Sequence, residues 1–200
     1  MTLYDKLKKR LGWLFRHIYR LEVVGAENVP EDGGFILSSN HTALFDPIVL
    51  ILSVPRRVHF MAKKESFKTP VIGKLMAKVG MFPVNRGTVD VKAIKTALGY
   101  LNDGEVIGIF PQGTRMPGVD PKETKAKEGV AMIAYHTGCR VVPAFIKTKK
   151  RKLKMFSKAT VIIGKPIEPE ELHIEKGSPS EYEKATKRIF GDICALEDSV

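Results

Sequence analysis

Short apolar runs that alternate with helical patterns constrain the fold of this chain more than any other feature of its sequence. Seven such runs have the length and the β-branched and aromatic composition of strands. Several are apolar throughout, which is typical of strands buried on both faces in a parallel sheet covered by helices. The predicted strands are Leu21 to Val24, Phe35 to Ser38, Val58 to Met61, Met81 to Val84, Val106 to Phe110, Val141 to Ile146 and Thr160 to Ile163.

Helical patterns fill several of the gaps between these strands. Apolar residues at helical spacing from Val91 to Leu101 follow Thr88 or Asp90, either of which is a candidate N-cap. A second pattern, Lys127 to His136, ends just before Gly138. The chain therefore has an α/β fold, with a mostly parallel central sheet of about seven strands flanked by helices.

A chain of 200 residues has the size of one ordinary domain, which we assign to residues 21–200. Residues 1–20 predict a basic amphipathic helix, either lying in a membrane interface or packed on the domain core. The two alternatives are almost balanced, and Trp13 and the six Lys or Arg residues favour the membrane interface. The apolar stripe of this helix consists of Leu3, Leu7, Leu11, Leu14 and Ile18.

Charge and composition limit the possible partners and compartment. Lys and Arg number 33 against 22 Asp and Glu, so the net charge of +11 attracts nucleic acid, anionic lipid or phosphorylated small molecules. The longest apolar stretch, Pro47 to Pro55, is far below the about 20 residues that a membrane-spanning helix needs. The N-terminus lacks the features of a secretory signal, and Cys139 and Cys194 indicate neither a disulfide framework nor a zinc site. We expect a protein that stays in the cytoplasm.

Polar clusters follow three of the predicted strands, at the edge where ligands collect in parallel sheets. Phe35 to Ser38 leads into residues 40–46, which contain His41 and Asp46. Arg86 follows the strand that ends at Val84, and the third cluster contains Arg115. We expect Arg86 and Arg115 to come from neighbouring central strands and to lie beside His41, where a guanidinium can grip a phosphate with two parallel hydrogen bonds.

The pair His41 and Asp46 has the spacing H-x-x-x-x-D. A neutral imidazole can take a proton from an alcohol, and a carboxylate on its other nitrogen orients it. No G-x-S-x-G nucleophile motif is present, so the activated hydroxyl is expected to belong to the substrate. From the pair alone, the alternative that Asp46 merely caps a helix beginning at Pro47 is favoured, since such spacings arise by chance.

Four short blocks of residues stand in a fixed order along the chain: Asn40-His41 through Asp46, Gly80-Met81-Phe82-Pro83-Val84-Asn85-Arg86, Phe110-Pro111-Gln112-Gly113-Thr114-Arg115 and Val142-Pro143-Ala144. Together they resemble the four ordered motifs of the glycerolipid acyltransferase family, most closely the bacterial 1-acyl-sn-glycerol-3-phosphate acyltransferases. Further similarity at residues 62–65, 127–129 and 163–167 extends the resemblance over roughly residues 22–168.

The resemblance implies that His41 is the general base for the 2-hydroxyl of lysophosphatidic acid, which attacks the thioester of acyl-ACP or acyl-CoA, and that Asp46 orients His41. It implies no metal and no cofactor, and it places residues 142–144 at the acyl-donor side or in the nearby sheet core. Gly113 would let the backbone approach the glycerol phosphate. The substrate-binding residues implied are Lys63, Arg86, Gln112, Gly113, Thr114, Arg115 and Lys127.

One residue departs from the family pattern, which usually has an acidic residue at the position of Gln112. The neutral amide removes a negative charge and so makes the expected phosphate site more positive. The identity of the acceptor headgroup is therefore left open. Glycerol 3-phosphate or another lysophospholipid is the main alternative acceptor. A hydrolase that activates water is a further alternative. Nucleic-acid binding is not expected, because aromatic residues do not interleave with the basic ones and no nucleic-acid-binding motif is present.

A basic run from Lys147 to Lys158 contains seven cations, interrupted by Leu153, Met155 and Phe156. Each cation near an anionic leaflet contributes about 1 kcal/mol of binding free energy. A solvated loop is the alternative. Because the expected acceptor is a membrane lipid, we predict that this run holds the enzyme peripherally on the cytoplasmic face of the cell membrane, against anionic lipid.

Overall fold

The computed structural model describes residues 3–85 and 90–199, and their core is one seven-stranded sheet. The strands lie in the order β1-β7-β6-β2-β5-β3-β4, with β2 in the centre. All seven predicted strands are present, with ends that differ from the predictions by one or two residues. They are β1 Glu22–Val24, β2 Phe35–Ser39, β3 Val58–Lys63, β4 Phe82–Val84, β5 Val106–Ile109, β6 Arg140–Thr148 and β7 Ala159–Ile163.

The sheet is mostly parallel, as predicted. Strands β2 to β6 run in one direction, because β2 pairs in parallel with both β5 and β6, and β3 pairs in parallel with β4 and β5. Strand β7 is antiparallel to β6 and parallel to β1, so these two edge strands run the other way. The carboxyl ends of β2, β3, β5 and β6 therefore share one edge, which positions the loops that follow them.

Helices cover both faces of the sheet, and the alternation of side chains along β2 explains why each face is apolar. Phe35 and Leu37 pack on the side of the first two helices, whereas Ile36 packs on the side of the last three. The helices are α1 Leu3–Ile18, α2 Asp46–Ser53, α3 Pro70–Lys78, α4 Val91–Asn102, α5 Gly129–Thr137 and α6 Pro179–Ala195.

Local capping sets where two of the predicted helices begin and end. The Asp90 carboxylate accepts a hydrogen bond from the Ala93 N–H and caps α4. Gly138 has a φ of 61° after the end of α5, a left-handed conformation that glycine adopts without a steric penalty. The other candidate cap, Thr88, lies outside the described residues.

Helix α1 packs on the domain through α2. The Lys8 ammonium donates to the Val54 carbonyl at 2.5 Å, and Arg16 donates to the Leu52 carbonyl at 2.6 Å, so two cations bind the otherwise unpaired carbonyls at the end of α2. Tyr4 is buried against the same core, while Trp13 is 72% exposed. One face of α1 therefore packs on the domain core, whereas Trp13 on the helix is exposed to solvent.

One sequence expectation about the sheet is wrong. Strand β4, which precedes Arg86, is the edge strand and pairs with β3, so it is neither central nor adjacent to β5. The connection through α3 adds β4 on the outside of β3. Arg86 itself lies outside the described residues.

Burial of His59 makes the stability of the fold depend on pH. The pKa of His59 lies below its usual value because burial disfavours the charged ring, although the Gly80 carbonyl, 3.0 Å from Nδ1, acts in the opposite direction. Below about pH 6.5 the unfolded chain binds a proton at His59, whereas the folded state resists doing so. The free energy of unfolding therefore falls as the pH is lowered through this range.

We predict that lowering the pH from 7 to 5 destabilises the protein less in His59→Asn than in the original chain. The asparagine amide can still donate to Gly80, but it does not titrate. Urea unfolding midpoints across this pH range measure the effect, with His136→Asn as the control because His136 is exposed. Equal pH dependence in His59→Asn and the original chain would contradict the assignment.

Candidate active site

The loop between β2 and α2 brings His41 and Asp46 into contact at the shared carboxyl edge. The Nδ1 atom of His41 lies 2.8 Å from Oδ2 of Asp46, and Asp46 is fully buried. With its proton on Nδ1, the ring donates to the carboxylate and keeps Nε2 as an available base.

Backbone groups fix the Asp46 carboxylate in this orientation. Its Oδ2 atom accepts the N–H groups of Thr42 at 2.5 Å and Ala43 at 2.7 Å. These donors belong to the loop before the helix, and α2 has Phe45 as its N-cap residue, with no side-chain capping bond. The geometry therefore differs from simple helix capping by Asp46, the alternative that the sequence left open.

The His41 ring is held on its other side by an aromatic stack. Phe110, immediately after β5, lies with its ring centroid 4.0 Å from that of His41 and at an interplanar angle of 13°. Phe60 of β3 stacks in turn on Phe110 at 5.5 Å. Packing from two neighbouring strands thus limits rotation of the imidazole, whose side chain is only 10% exposed.

The loop between β5 and α5, residues 110–128, is bound directly to the His41 backbone. Oε1 of Gln112 accepts the His41 N–H at 2.7 Å, and the Met116 N–H donates to the His41 carbonyl at 2.8 Å. Because Arg115 precedes Met116, its backbone lies beside the His41 loop. We call residues 110–128 the β5–α5 loop below.

Both ends of the Gln112 side-chain amide make hydrogen bonds, the oxygen as an acceptor and the nitrogen as a donor. Its Nε2 donates to Oγ1 of Thr124 at 3.0 Å, and that hydroxyl donates to the Pro121 carbonyl at 2.8 Å. A carboxylate at this position would have no proton for Thr124. The residue that departs from the family pattern therefore links the His41 loop to the far part of the β5–α5 loop.

The remaining predicted substrate residues that the structure describes lie on the β5–α5 loop or at the end of β3. Gly113 has a φ of 69°, and the Lys127 side chain lies over its Cα, 3.0 Å from where a Cβ atom would be. Thr114, Arg115 and Lys127 are exposed to solvent on the same loop. Lys63, at the end of β3, is exposed and lies 3.8 Å from Glu65.

The structure also shows roles that the sequence did not reveal. Asn40 uses both ends of its side-chain amide on Ile146 of β6, donating to the carbonyl at 3.2 Å and accepting the N–H at 2.7 Å. This bond extends the pairing of β2 and β6 to the residue before His41. Both Asn40 and Phe110 belong to the motif blocks, but nothing in the sequence marked Asn40 as a link to β6 or Phe110 as the stacking partner of His41. Val142 and Ala144, in the fourth motif block, are buried in the core.

Comparison with known proteins agrees with this geometry. The family model described as Acyltransferase matches residues 20–147, which include the His41 loop and the β5–α5 loop. The chain belongs to the acyltransferase family. The membership predicted from the motif blocks is therefore confirmed.

Several acyltransferases are similar over much of the chain. The 1-acyl-sn-glycerol-3-phosphate acyltransferase of Bacillus subtilis is 35% identical over 150 residues, 74% of this chain and 73% of the relative. The enzyme of that name from Borreliella burgdorferi is 32% identical over 62% of this chain and 50% of its own length. The crystal structure of the 1-acyl-sn-glycerophosphate (LPA) acyltransferase from Thermotoga maritima superposes with a TM-score of 0.67 at 30% identity, covering 96% of this chain and 78% of that one.

Two kinds of feature are absent from the described residues. Within residues 3–85 and 90–199, no group of three or more His, Cys, Asp or Glu side chains is arranged to hold a metal ion. Over the same residues, no helix is both long enough and apolar enough to cross a bilayer.

We predict that Gln112→Met destabilises the protein by about 1–3 kcal/mol, because it leaves the buried His41 N–H without an acceptor. It should also lower acyl transfer, since the His41 loop loses one of its two backbone anchors. Chemical unfolding and an activity assay measure the two effects. Thr124→Val is the control, because it removes only the distal part of the link. Unchanged stability and activity in Gln112→Met would refute this role.

Proposed function

We propose that this chain transfers a fatty acyl group from an acyl thioester to the 2-hydroxyl of 1-acyl-glycerol-3-phosphate, making phosphatidic acid. The observation that carries the proposal is the buried contact between His41 and Asp46, 2.8 Å apart, in a chain that belongs to the acyltransferase family. The similarity to enzymes named for this reaction supports the acceptor.

In the proposed reaction, Nε2 of His41 removes the proton from the acceptor hydroxyl as its oxygen attacks the thioester carbonyl. The imidazolium that forms is stabilised by the Asp46 carboxylate. Collapse of the tetrahedral intermediate breaks the C–S bond, and the departing thiolate of ACP or CoA takes the proton from His41. The step uses no cofactor and no metal, because the acyl group is already activated as a thioester.

The positive groups of the β5–α5 loop are suited to the phosphate of the acceptor. Arg115 and Lys127 are exposed on this loop, and the Gly113 turn offers backbone groups close to them. Lys63 ends β3, the neighbour of β5 in the sheet. We assign the glycerol phosphate to these groups, with Thr114 and Gln112 in the same turn and Arg86 as a further cation.

His41→Ala is expected to lower the rate of acyl transfer by about 10²–10⁴-fold, the typical contribution of a general base. The assay uses purified protein, acyl-ACP and acyl-CoA as donors, and a panel of acceptors comprising lysophosphatidic acid, glycerol 3-phosphate and lysophospholipids with substituted headgroups. Thermal unfolding of the variant checks that it is folded.

The same panel tests the acceptor and the reaction type. Highest kcat/KM with lysophosphatidic acid supports the proposal, whereas preference for another acceptor would replace it. Release of free fatty acid without acceptor would indicate a hydrolase. Retained activity in His41→Ala would overturn the mechanism.

We also assign the protein to the surface of an anionic membrane, on the cytoplasmic face of the cell membrane, with the active edge of the sheet toward lipid. Exposed apolar side chains follow the carboxyl ends of several parallel strands: Leu44 after β2 (67% exposed), Val71 after β3 (79%), and Met155 and Phe156 after β6 (60% and 73%). The last two lie within the basic run from Lys147 to Lys158, so apolar insertion and charge attraction would act together.

Replacing Met155 and Phe156 together by serine should weaken binding to anionic vesicles several-fold, because the tip of the β6–β7 loop loses its apolar contact. Co-sedimentation with vesicles of phosphatidylglycerol and phosphatidylcholine at low and high salt measures it. Val24→Ser is the control, an exposed apolar residue of β1, which ends at the opposite edge of the sheet. The membrane assignment would fail if vesicle binding did not change with salt, with the fraction of anionic lipid or on replacement of Met155 and Phe156 by serine.

A further inference from the structure

Arg151 joins three parts of the chain that are far apart in sequence. Its Nη2 atom lies 2.8 Å from Oδ2 of Asp120 in the β5–α5 loop and 3.2 Å from Oε2 of Glu197 near the C-terminus. The three side chains are only partly exposed, at 36%, 26% and 18%. Partial burial protects such a network from the solvent screening that makes exposed ion pairs weak.

The backbone of Arg151 also holds the β5–α5 loop. Its carbonyl accepts the Gly118 N–H at 2.9 Å, so Arg151 contacts this loop through both main chain and side chain. Arg151 has a φ of 50°, a left-handed conformation that is unfavourable for a residue with a side chain. The surrounding contacts maintain this conformation despite its cost.

Asp120 couples the network to the fold of the loop. One of its oxygens accepts the Lys122 N–H at 3.0 Å and caps the short helical turn Pro121–Glu123. The next residue after that turn is Thr124, which accepts the hydrogen bond from Gln112. The ion pair of Arg151 is therefore connected to the His41 N–H through a chain of contacts within one loop.

The loop segment that carries Arg115 is consequently held at both sides. On the side of the active site, the Met116 N–H is bound to the His41 carbonyl. On the other side, Gly118 and Asp120 are bound to Arg151. The Arg115 side chain itself is exposed, so its position depends on how firmly this short segment is fixed.

We propose that Arg151, with Asp120 and Glu197, is a positioning residue that fixes the β5–α5 loop so that Arg115 can bind the acceptor phosphate. The inference rests on the proposed phosphate role of Arg115. Arg151 does not touch substrate in this assignment, and it acts on acceptor binding rather than on the chemistry at His41.

The C-terminal turn Leu196–Ser199 strengthens the same arrangement. Asp198 accepts from the Lys122 ammonium at 2.9 Å, and the Glu197 carbonyl accepts from the Lys147 ammonium at 3.0 Å. The pKa of Arg151 is raised by its hydrogen bond to Glu197, so the guanidinium stays charged at any pH at which the enzyme works. The turn Leu196–Ser199 and the β6–β7 loop thus both bind the β5–α5 loop.

The test compares Arg151→Gln with Arg188→Gln. Arg188 also pairs with a carboxylate, Asp192 at 2.9 Å, but on the exposed face of α6, so it is a matched loss of one charge and one ion pair. Assays in neutral detergent micelles remove any effect of the lost charge on anionic lipid. We expect Arg151→Gln to raise KM for lysophosphatidic acid about tenfold, the scale of a small misplacement of a binding group. The kcat and the donor KM should stay within twofold, and Arg188→Gln should leave all three unchanged.

Further variants separate positioning from loss of folding. Asp120→Asn should raise the acceptor KM in the same way, and the double variant with Arg151→Gln should be no worse than the stronger single variant, because both break one network. Arg151→Lys should raise the acceptor KM less than Arg151→Gln does, since an ammonium can still bind a carboxylate but lacks the planar fork of a guanidinium.

The outcomes distinguish this inference from the function on which it rests. The inference is wrong if Arg151→Gln leaves the acceptor KM unchanged, as Arg188→Gln does. It is also wrong if Arg151→Gln changes kcat and both KM values together and lowers the Tm. Arg115→Ala is measured alongside. If Arg115→Ala leaves the acceptor KM unchanged, the proposed phosphate role of Arg115 fails, whatever Arg151→Gln does. If only Arg115→Ala raises it, the inference alone fails.

Discussion

The site depends on one buried carboxylate. Asp46 is removed from water, and its Oδ2 atom accepts two backbone N–H groups as well as facing Nδ1 of His41. A buried carboxylate without such partners would be very costly. These bonds therefore make the turn from β2 into α2 and the orientation of His41 a single structural unit, because neither can change without leaving the charge unpaired.

The central position of β2 extends this constraint to the rest of the molecule. Strands β5 and β6 flank β2, and each contributes to the residues around His41. From the β5 side come the Phe110 stack and the Gln112 bond, and from the β6 side comes the backbone that Asn40 binds. Rigid elements on both sides thus hold the imidazole, whereas the cationic side chains proposed for the phosphate lie on exposed loop positions.

A tightly packed imidazole and exposed cations suit the two parts of the proposed reaction, which are proton transfer at His41 and binding of a lipid phosphate. Proton transfer requires an imidazole held in one tautomer and orientation. Binding of a lipid phosphate at a surface needs cations that can reach an acceptor arriving from the membrane. The positioning network proposed around Arg151 anchors the backbone of the loop that carries Arg115, while the Arg115 side chain is exposed to solvent.

Much of the architecture follows from local sequence patterns. The seven strands, Asp90 as one of two candidate caps of α4 and Gly138 as the end of α5 were predictable because apolar periodicity and capping chemistry act over a few residues. These features depend on residues that are close in sequence. The pairing of His41 with Asp46 was predicted by the resemblance of the motif blocks to the acyltransferase family, whereas the spacing of the two residues alone favoured helix capping by Asp46.

Only the tertiary structure decided the contacts between distant segments. The sequence did not reveal that β4 lies at the sheet edge, because strand order depends on long-range pairing that periodicity does not encode. It did not reveal the Phe110 stack or the bond from Gln112 to the His41 backbone, which require β2 and β5 to be neighbours. The sequence by itself determined the strands and helices, and the resemblance of its motif blocks indicated the contact between His41 and Asp46. The arrangement around this pair was decided by the packing of strands and loops, because the free energy of that packing belongs to contacts between residues far apart in the chain.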